Sequence, residues 1–402
     1  MRRHLAVALL SVTACGNDAD PDLVAERQLP PAVTADVQAV STANNQFALD
    51  MLRVLPPAEN QFFSPFSIST ALWMLDAGAA GDTDAELRAA LHATLPGTQA
   101  HEAYGAMLDS LEVGRSFDLY TLATANRLFG QDGLAFQQPF LDLTADAYGA
   151  PLQPVDFRTD ARDTINAWVS EQTDAMIPEL FDELDGDTVL VLANAIVFKG
   201  KWTQAFDRAR TRPAPFTLAS GAQVDVSMMS KSDLLRRARI DGGQLGVMSF
   251  RGRDLSMVVL VPDEASGLPA LEARLTADSL VAAITGASGE ETVNVRMPKF
   301  SFEAELPLPQ TLQALGVTAA FDPARADLSG IDGTRSLFVT SAVHKAVIAV
   351  DEDGAEAAAG TGVSDGPVSF PPELVLDRPF LFLIHDHVTG SILFLGRVND
   401  PR

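Results

Sequence analysis

Cysteine is almost absent: the chain has one, Cys15, and none beyond it. This excludes disulfides, zinc–thiolate centres and cysteine nucleophiles from a body folded after residue 15, so stability there comes from burial alone. Positive charge is also scarce, with 29 Lys and Arg against 53 Asp and Glu and a formal net charge of −24. Nucleic acid, heparin-like polyanions and anionic membrane surfaces would be repelled. After the short run from Leu5 to Val12, no apolar stretch approaches the length a membrane span needs. Internal repeats and Gly/Ser linkers are missing between 36 and 400, which favours one domain. No Gly-x-Ser-x-Gly, His-Glu-x-x-His or phosphate-binding loop occurs. His385-Asp386-His387 has strand spacing that could place two imidazoles on one face, but it reads as a turn closing a strand. Asp182, Asp185 and Asp187 lack calcium-loop spacing and read as a solvated turn. A hydrolase or metalloenzyme is the alternative these features leave open. The expectation is no catalytic residue, no metal, no cofactor and no enzyme activity.

What is present begins with Met1-Arg2-Arg3, the apolar run and Val12-Thr13-Ala14-Cys15. This is the order of an export signal, 1–14, and its cleavage site resembles a bacterial lipobox with Cys15 as the lipidated residue. The expected locale is extracellular, or the cell envelope with the membrane reached only through Cys15. Residues 15–33 would be a flexible tether and 34–402 a single folded domain.

Helical spacing of Val37, Val40, Phe47, Met51 and Leu55 predicts a first helix that Pro56-Pro57 stops. Ser64 as cap and Pro65 at the first position predict a second. Thr83-Asp84-Ala85-Glu86 has capping-box spacing and predicts a third, carrying Leu87 and Leu91. Further helices are expected over about 99–111, 137–147, 160–176, 268–284 and 310–315. The apolar run 188–198 suits a strand buried on both faces. Strands are also expected over 255–261, 292–302, 337–350, 379–385 and 391–398. Helices early and strands late, without βαβ alternation, give an α+β class with large, mostly antiparallel sheets.

Between the last strong strand signals lies Asp351 to Pro372, far longer than a hairpin connection and made of small or polar residues. An exposed loop is expected, over about 353–372. Yet its first half alternates. Ala355, Ala357, Ala359, Thr361 and Val363 fall on one strand face, and Glu356, Ala358, Gly360, Gly362 and Ser364 on the other. Such a loop is able to enter a sheet, because small side chains fit a close-packed interior.

Several segments now carry a family likeness: Phe62 to Leu72 (FFSPFSISTAL), Val155-Asp156-Phe157, Ile165-Asn166-Ala167-Trp168-Val169, Leu190 to Trp202 (LVLANAIVFKGKW), Met297-Pro298-Lys299-Phe300, Asp327-Leu328-Ser329-Gly330-Ile331, His344-Lys345-Ala346 and Asp377-Arg378-Pro379-Phe380. In this order and spacing the sequence resembles the serpin family of serine protease inhibitors. The resemblance implies three large sheets, eight or nine helices and an exposed reactive-centre loop. A protease cuts that loop and is trapped as a covalent 1:1 acyl-enzyme when the loop inserts as a new strand.

Counting from the hinge glutamate, Glu352, the resemblance places the cut at Val368-Ser369. The loop hinge would be Glu352, Gly354, Ala355, Glu356, Ala357, Ala358, Ala359 and Gly360. Ser64, Ser67, Asn194 and His344 match the polar shutter under the opening sheet, making His344 structural. Trp202, Lys299 and Glu352 match the breach where the loop enters, with Lys299 and Glu352 as an exposed ion pair. Lys345 reads as a solvated strand residue.

A small β-branched Val368 beside Pro367 suits the shallow apolar pocket of elastase-like or some subtilisin-like serine proteases and cannot pair with the carboxylate of trypsin-like ones. Three departures from the family stand out: Ala355 where Thr or Ser is common, Asp365 on the inward face, and Ala175-Met176 in place of Gly-Lys. Asp84 and Glu86 occupy the stretch where heparin-binding members are basic, so no heparin activation is expected. The protein would act as a monomer. A non-inhibitory serpin, cut as a plain substrate or used as a binding protein, is the nearest alternative.

Overall fold

The structure, a computed structural model, describes residues 27, 29–31, 33–116, 119–287, 289–354 and 371–402. In chain order the elements are α1 Thr34–Val54, β1 Gln61–Phe63, α2 Pro65–Asp76, α3 Gly81–Ala90, α4 Gly97–Ser116, β2 Tyr120–Gln131, α5 Gln138–Tyr148, β3 Gln153–Val155, α6 Ala161–Gln172 and β4 Leu190–Gly200. There follow β5 Arg212–Thr217, β6 Gln223–Ile240, β7 Gly243–Ser249, β8 Leu255–Pro262, α7 Leu268–Arg274, α8 Ala277–Gly286, β9 Glu291–Pro298, β10 Phe300–Pro307, α9 Leu308–Ala314, α10 Ser329–Asp332, β11 Ser341–Val350, β12 Glu373–Val375, β13 Phe380–Asp386 and β14 Ile392–Val398. The class is α+β, with ten α-helices among the described residues, one of them a single turn. None is long and apolar enough to cross a membrane.

One sheet has five strands in the order β10-β11-β4-β2-β3. The remaining nine strands are connected, eight in one path that β6 divides in two and β5 off that path beside β6. Its residues Arg236 to Ile240 pair with β7 and continue through β8, β13 and β14 to β1. Its residues Met228 to Leu235 pair with β9, which leads to β12, while Gln223 to Met228 pair with β5. Three sheet surfaces result, because an 18-residue strand twists too far to hold one plane.

Helix α2 is buried at every position and packs on β14, β2 and β4, at the centre of the main core. Its apolar character all round marks a helix with no solvent face. Ser64 caps it, accepting a hydrogen bond from Ser67 N at 3.0 Å, and Pro65 opens it. The other face of the five-stranded sheet is covered by α6 and the segment after it, with Ile165, Val169, Ile177 and Phe181 clustered with Ala193, Ala195 and Val197.

Several expectations need correction. Helix α3 begins at Gly81, and the presumed capping pair is spent elsewhere: Thr83 Oγ1 accepts Asp327 N, while Glu86 accepts Thr318 N and Ala319 N, both at 2.6 Å. These bonds, against the pull of burial, hold the Glu86 carboxyl below the usual range. The helix expected at 268–284 divides into α7 and α8, and the strand expected at 292–302 divides into β9 and β10. Lys345 is no solvated residue; its side chain is 14 % exposed and its ammonium lies 3.2 Å from Glu303 and 3.1 Å from Glu179 O. Asp182, Asp185 and Asp187 are exposed, as a solvated turn requires.

Asp174 and Ala175, just past α6, have φ of +50° and +60°. Left-handed backbone costs a residue with a Cβ about 1–2 kcal/mol, and Ala175 stands where the family more often has glycine. Ala175→Gly should therefore stabilise the fold by about 0.5 kcal/mol once glycine's extra unfolded-state entropy is subtracted. A rise in the denaturant midpoint at unchanged slope is the expected reading; a fall would show that the strain is relieved locally.

Candidate functional site

The site is a seam through the five-stranded sheet. β10–β11 and β4–β2 are antiparallel, but β11 and β4, side by side at its centre, run parallel from Ser341↔Val191 to Val347↔Val197. Parallel pairing is slightly weaker per residue. The ladder stops at Val347, although β11 runs on to Val350 and β4 to Gly200. The two strand ends are therefore unpaired with each other at the top of the seam.

Below that opening lies a polar cluster in an otherwise apolar layer. Ser64 N donates to His344 Nε2 at 3.0 Å, and Ser64 Oγ donates to Leu393 O at 2.6 Å. Because Nε2 accepts, the ring proton sits on Nδ1 and is donated to Asn194 Oδ1 in a very short bond. Asn194 Nδ2 reaches Ser67 O at 2.8 Å, Ser67 Oγ at 2.9 Å and Asn126 Oδ1 at 2.6 Å, and Ser67 Oγ donates to Asn126 at 2.9 Å. His344 and Asn194 are register partners across the seam, so their bond ties β11 directly to β4. Ser64, Ser67, Asn194 and His344 thus come together as one network. Asn126 completes it and was missed, because β2 was not recognised as a strand; its register partner is Asn194 itself.

Above the opening the chain leaves β11 through a tight turn. Asp351 N donates to Gly354 O at 3.0 Å, and Gly354 also bridges Lys201, just past β4. Glu352 is held by Lys299 Nζ at 2.7 Å, Thr211 Oγ1 at 2.7 Å and, through its carbonyl, Phe206 N at 2.6 Å. Its carboxylate is 5 % exposed, so this pair is not the exposed one expected, and only Lys299, at 40 %, meets water. Burial alone would raise the Glu352 carboxyl; Lys299 and Thr211 outweigh it and hold the carboxyl low.

Asp353 pairs with Arg208, and its carbonyl takes Trp202 N at 3.1 Å. Trp202 is buried, donates Nε1 to Asp351 O at 3.1 Å and stacks on Phe250 with centroids 4.7 Å apart. Lys231 lies beneath it, 5.2 Å from its ring and 2.6 Å from Asp233. Gly354 has φ +116°, and a Cβ there would fall 2.1 Å from Gly200 O. Trp202, Lys299, Glu352 and Gly354 are therefore brought together. Thr211, Arg208, Lys231 and Phe250, which share the site, had no distinguishing sequence signal. Ala355, Glu356, Ala357, Ala358, Ala359, Gly360, Val368, Ser369 and Cys15 lie outside the described residues.

The buried histidines set a pH dependence. Burial pushes His344 down to about 3, His385 to about 3 with help from His387, His387 to about 4 with help from Arg236, and His101 to about 4 with help from Arg88. Unfolded, each would protonate near its ordinary value of 6.5. Between pH 6.5 and 4 the unfolded chain therefore binds more protons, and stability falls as pH drops. Asp76 opposes this, since burial and Asp84 raise it to about 7 and the folded chain binds its proton first. Four groups outweigh one. The free energy of unfolding should decline steadily from pH 7 to pH 4.5, and His344→Gln should shallow that decline; a flat profile would mean the rings are protonated in the fold.

Residues 42–401 match the family model described as "Serpin (serine protease inhibitor)". The chain is 41% identical over 382 residues to the leukocyte elastase inhibitor of Bos taurus, covering 91% of this chain and 100% of the relative. It is 38% identical to the human leukocyte elastase inhibitor at the same coverage. Against Iripin-8 of Ixodes ricinus it is 35% identical, covering 91% of this chain and 95% of that one. The crystal structure of uncleaved ovalbumin superposes with a TM-score of 0.80 at 30% identity, covering 90% of this chain and 100% of ovalbumin. With the family model spanning most of the chain and the divided sheet present in its geometry, the chain belongs to the serpin family.

Proposed function

We propose that the protein is a consumable inhibitor of elastase-like or subtilisin-like serine proteases, cut at Val368-Ser369 and trapping its attacker by inserting residues Ala355 to Val368 between β11 and β4. The observation that carries this is register. The offset that sets Ser341 opposite Val191 also sets Asp351 opposite Lys201, and Gly354 bridges both of these residues. A strand continuing from Gly354 down the seam would thus be antiparallel to both neighbours without a slip of either. It would replace one parallel ladder by two antiparallel ones.

That register assigns each loop residue its neighbours. Ala355 would lie between Val350 and Gly200, Ala357 between Ile348 and Phe198, Ala359 between Ala346 and Ile196, and Val363 between Ala342 and Leu192, all on the buried face of the sheet. Thr361 would fall between His344 and Asn194. Their direct bond cannot survive a strand placed between them, and the Thr361 hydroxyl is the inward group able to partner them afterwards. Asp365 would pass opposite Thr340, just ahead of β11, and Leu190, the buried first residue of β4, so its inward orientation falls at the far end of the seam.

The protease serine attacks Val368 and forms an acyl-enzyme, the first half of its ordinary reaction. Insertion then carries the ester along the sheet, a path of roughly 46 Å at strand rise. The leukocyte elastase inhibitors among the relatives support the class of target, and Val368 supports the pocket size. Trypsin-like selectivity would need a base in its place.

Export, with a lipid on Cys15 and no other membrane contact, is part of the same reading and rests on the order of residues 1–15. The animal relatives add nothing to it. Mass analysis of the mature N terminus should find a diacylated Cys15; an unmodified terminus elsewhere overturns the anchor.

Mixed with pancreatic or neutrophil elastase, the protein should give a denaturant-resistant 1:1 adduct, and its nicked form should melt well above the intact one. Cleavage without adduct, or a nicked form no more stable, would sink the inhibitory reading and leave a plain substrate. Ala355→Arg should abolish the adduct while leaving cleavage, since the space beside Gly200 is already filled by Phe198 and Phe250. Val368→Arg should transfer adduct formation from elastase to trypsin.

A further inference from the structure

Arg27 lies within the stretch expected to be a flexible tether, yet it is bolted into the body. Its guanidinium is 1 % exposed. Nε donates to Asp254 at 2.9 Å, Nη2 to Asp386 at 2.5 Å and Nη1 to Ser110 O at 3.1 Å. It also lies over the ring of Tyr120, 6.0 Å from the centroid. A cation taken this far from water is retained only with its full set of partners.

The partner Asp254 is the last residue of the turn joining β7 to β8. That turn is built around Gly252 at φ +80° and Arg253 at φ +59°. Phe250 N closes it onto Leu255 O at 3.0 Å, and Arg251 N ties it to Lys201 O at 2.8 Å. Thr203 binds it twice, through N to Ser249 O at 3.1 Å and through Oγ1 to Phe250 O at 2.9 Å. Phe250 is the ring on which Trp202 stacks, and Trp202 holds the carbonyls of Asp351 and Asp353 on either side of Glu352. On the other flank, Tyr120 pairs with Gly200, next to the residue that bridges Gly354. An unbroken run of packed and hydrogen-bonded groups therefore joins Arg27 to the first residue of the loop.

We infer that Arg27 is a positioning residue for the trap, by which the segment ahead of α1 clamps the turn under Trp202 and keeps the intact loop from entering the sheet early. This rests on the insertion reading above. Without the clamp, Asp254 and Asp386 face each other across the vacated site as like charges. The turn then has a reason to shift, Phe250 withdraws support from Trp202, and the top of the seam opens. The product is the inserted form with its chain still intact, unable to trap a protease.

The test compares the full chain with Arg27→Ala and Arg27→Lys, incubated uncut at 37 °C and assayed at intervals for adduct formation with elastase. The expected result for Arg27→Ala is activity lost about tenfold faster, with the inactive fraction monomeric, uncleaved and as heat-resistant as nicked protein. Arg27→Lys, which keeps the charge but cannot fork between two carboxylates, should fall between it and the unchanged chain. Activity half-lives equal to that of the unchanged chain in the two variants overturn the inference. So does loss by unfolding or aggregation alone, with nicked forms destabilised equally, for that is a structural bolt unconnected to the hinge. Should Arg27→Ala fail to fold, Arg27→Lys decides by the same half-life. If the unchanged chain makes no adduct, the insertion reading itself has failed, a result distinct from equal half-lives.

Discussion

Everything in this molecule turns on one pair of strands that sit side by side in the less favourable sense. β11 and β4 are neighbours in the sheet, parallel, with an antiparallel partner on each outer flank. Their union is stitched at mid-length by His344 and Asn194 and left open at the top. A seam of interlocked aliphatic side chains would have been tighter in this state. Hydrogen-bonding groups are better suited to a seam that must part, because each can exchange one partner for another, whereas a parted apolar seam leaves a cavity. Helix α2 makes this workable by presenting Ser64 and Ser67 at its first turn, directly under the strands, with the rest of its length buried as a fixed foundation.

The entry to the seam is restrained differently. There the holding groups are charged or aromatic and approach from elements distant in sequence: Lys299 after β9, Thr211 and Arg208 ahead of β5, Phe250 after β7. Apart from Phe250, which borders the first step beside Gly200, these groups lie off the path a new strand would take below Gly354. They fix where the strand starts and leave its course free. On the insertion reading, such a division would restrain the intact state without raising the cost of insertion at every step, since barriers set by a few contacts at one end fall once those contacts are released.

Much of this was legible in sequence because the local and global signals agree. Ser64-Pro65 at the head of α2 and the aliphatic run in β4 each have one physical meaning. Legibility failed where polar side chains were committed to distant partners. Thr83 and Glu86 resembled a local cap but serve the chain near 318–327. β2 and the long β6 went unread because strands half covered by helices and other strands carry Asn126, Arg127, Lys231 and Asp233 in their interiors, breaking the expected alternation. The shutter and breach residues could be named only through family likeness. No spacing rule brings Ser64, Asn194 and His344 together across 280 residues of chain.

On the insertion reading, Gly354 separates two jobs, anchoring the loop and meeting a protease. Its backbone has no room for a β-carbon, while the proposed cut at Val368-Ser369 lies more than ten positions further along. The recognition end can therefore diverge under selection as fast as the proteases it confronts, or be exchanged wholesale by an engineer. The machinery that does the mechanical work need not be retuned.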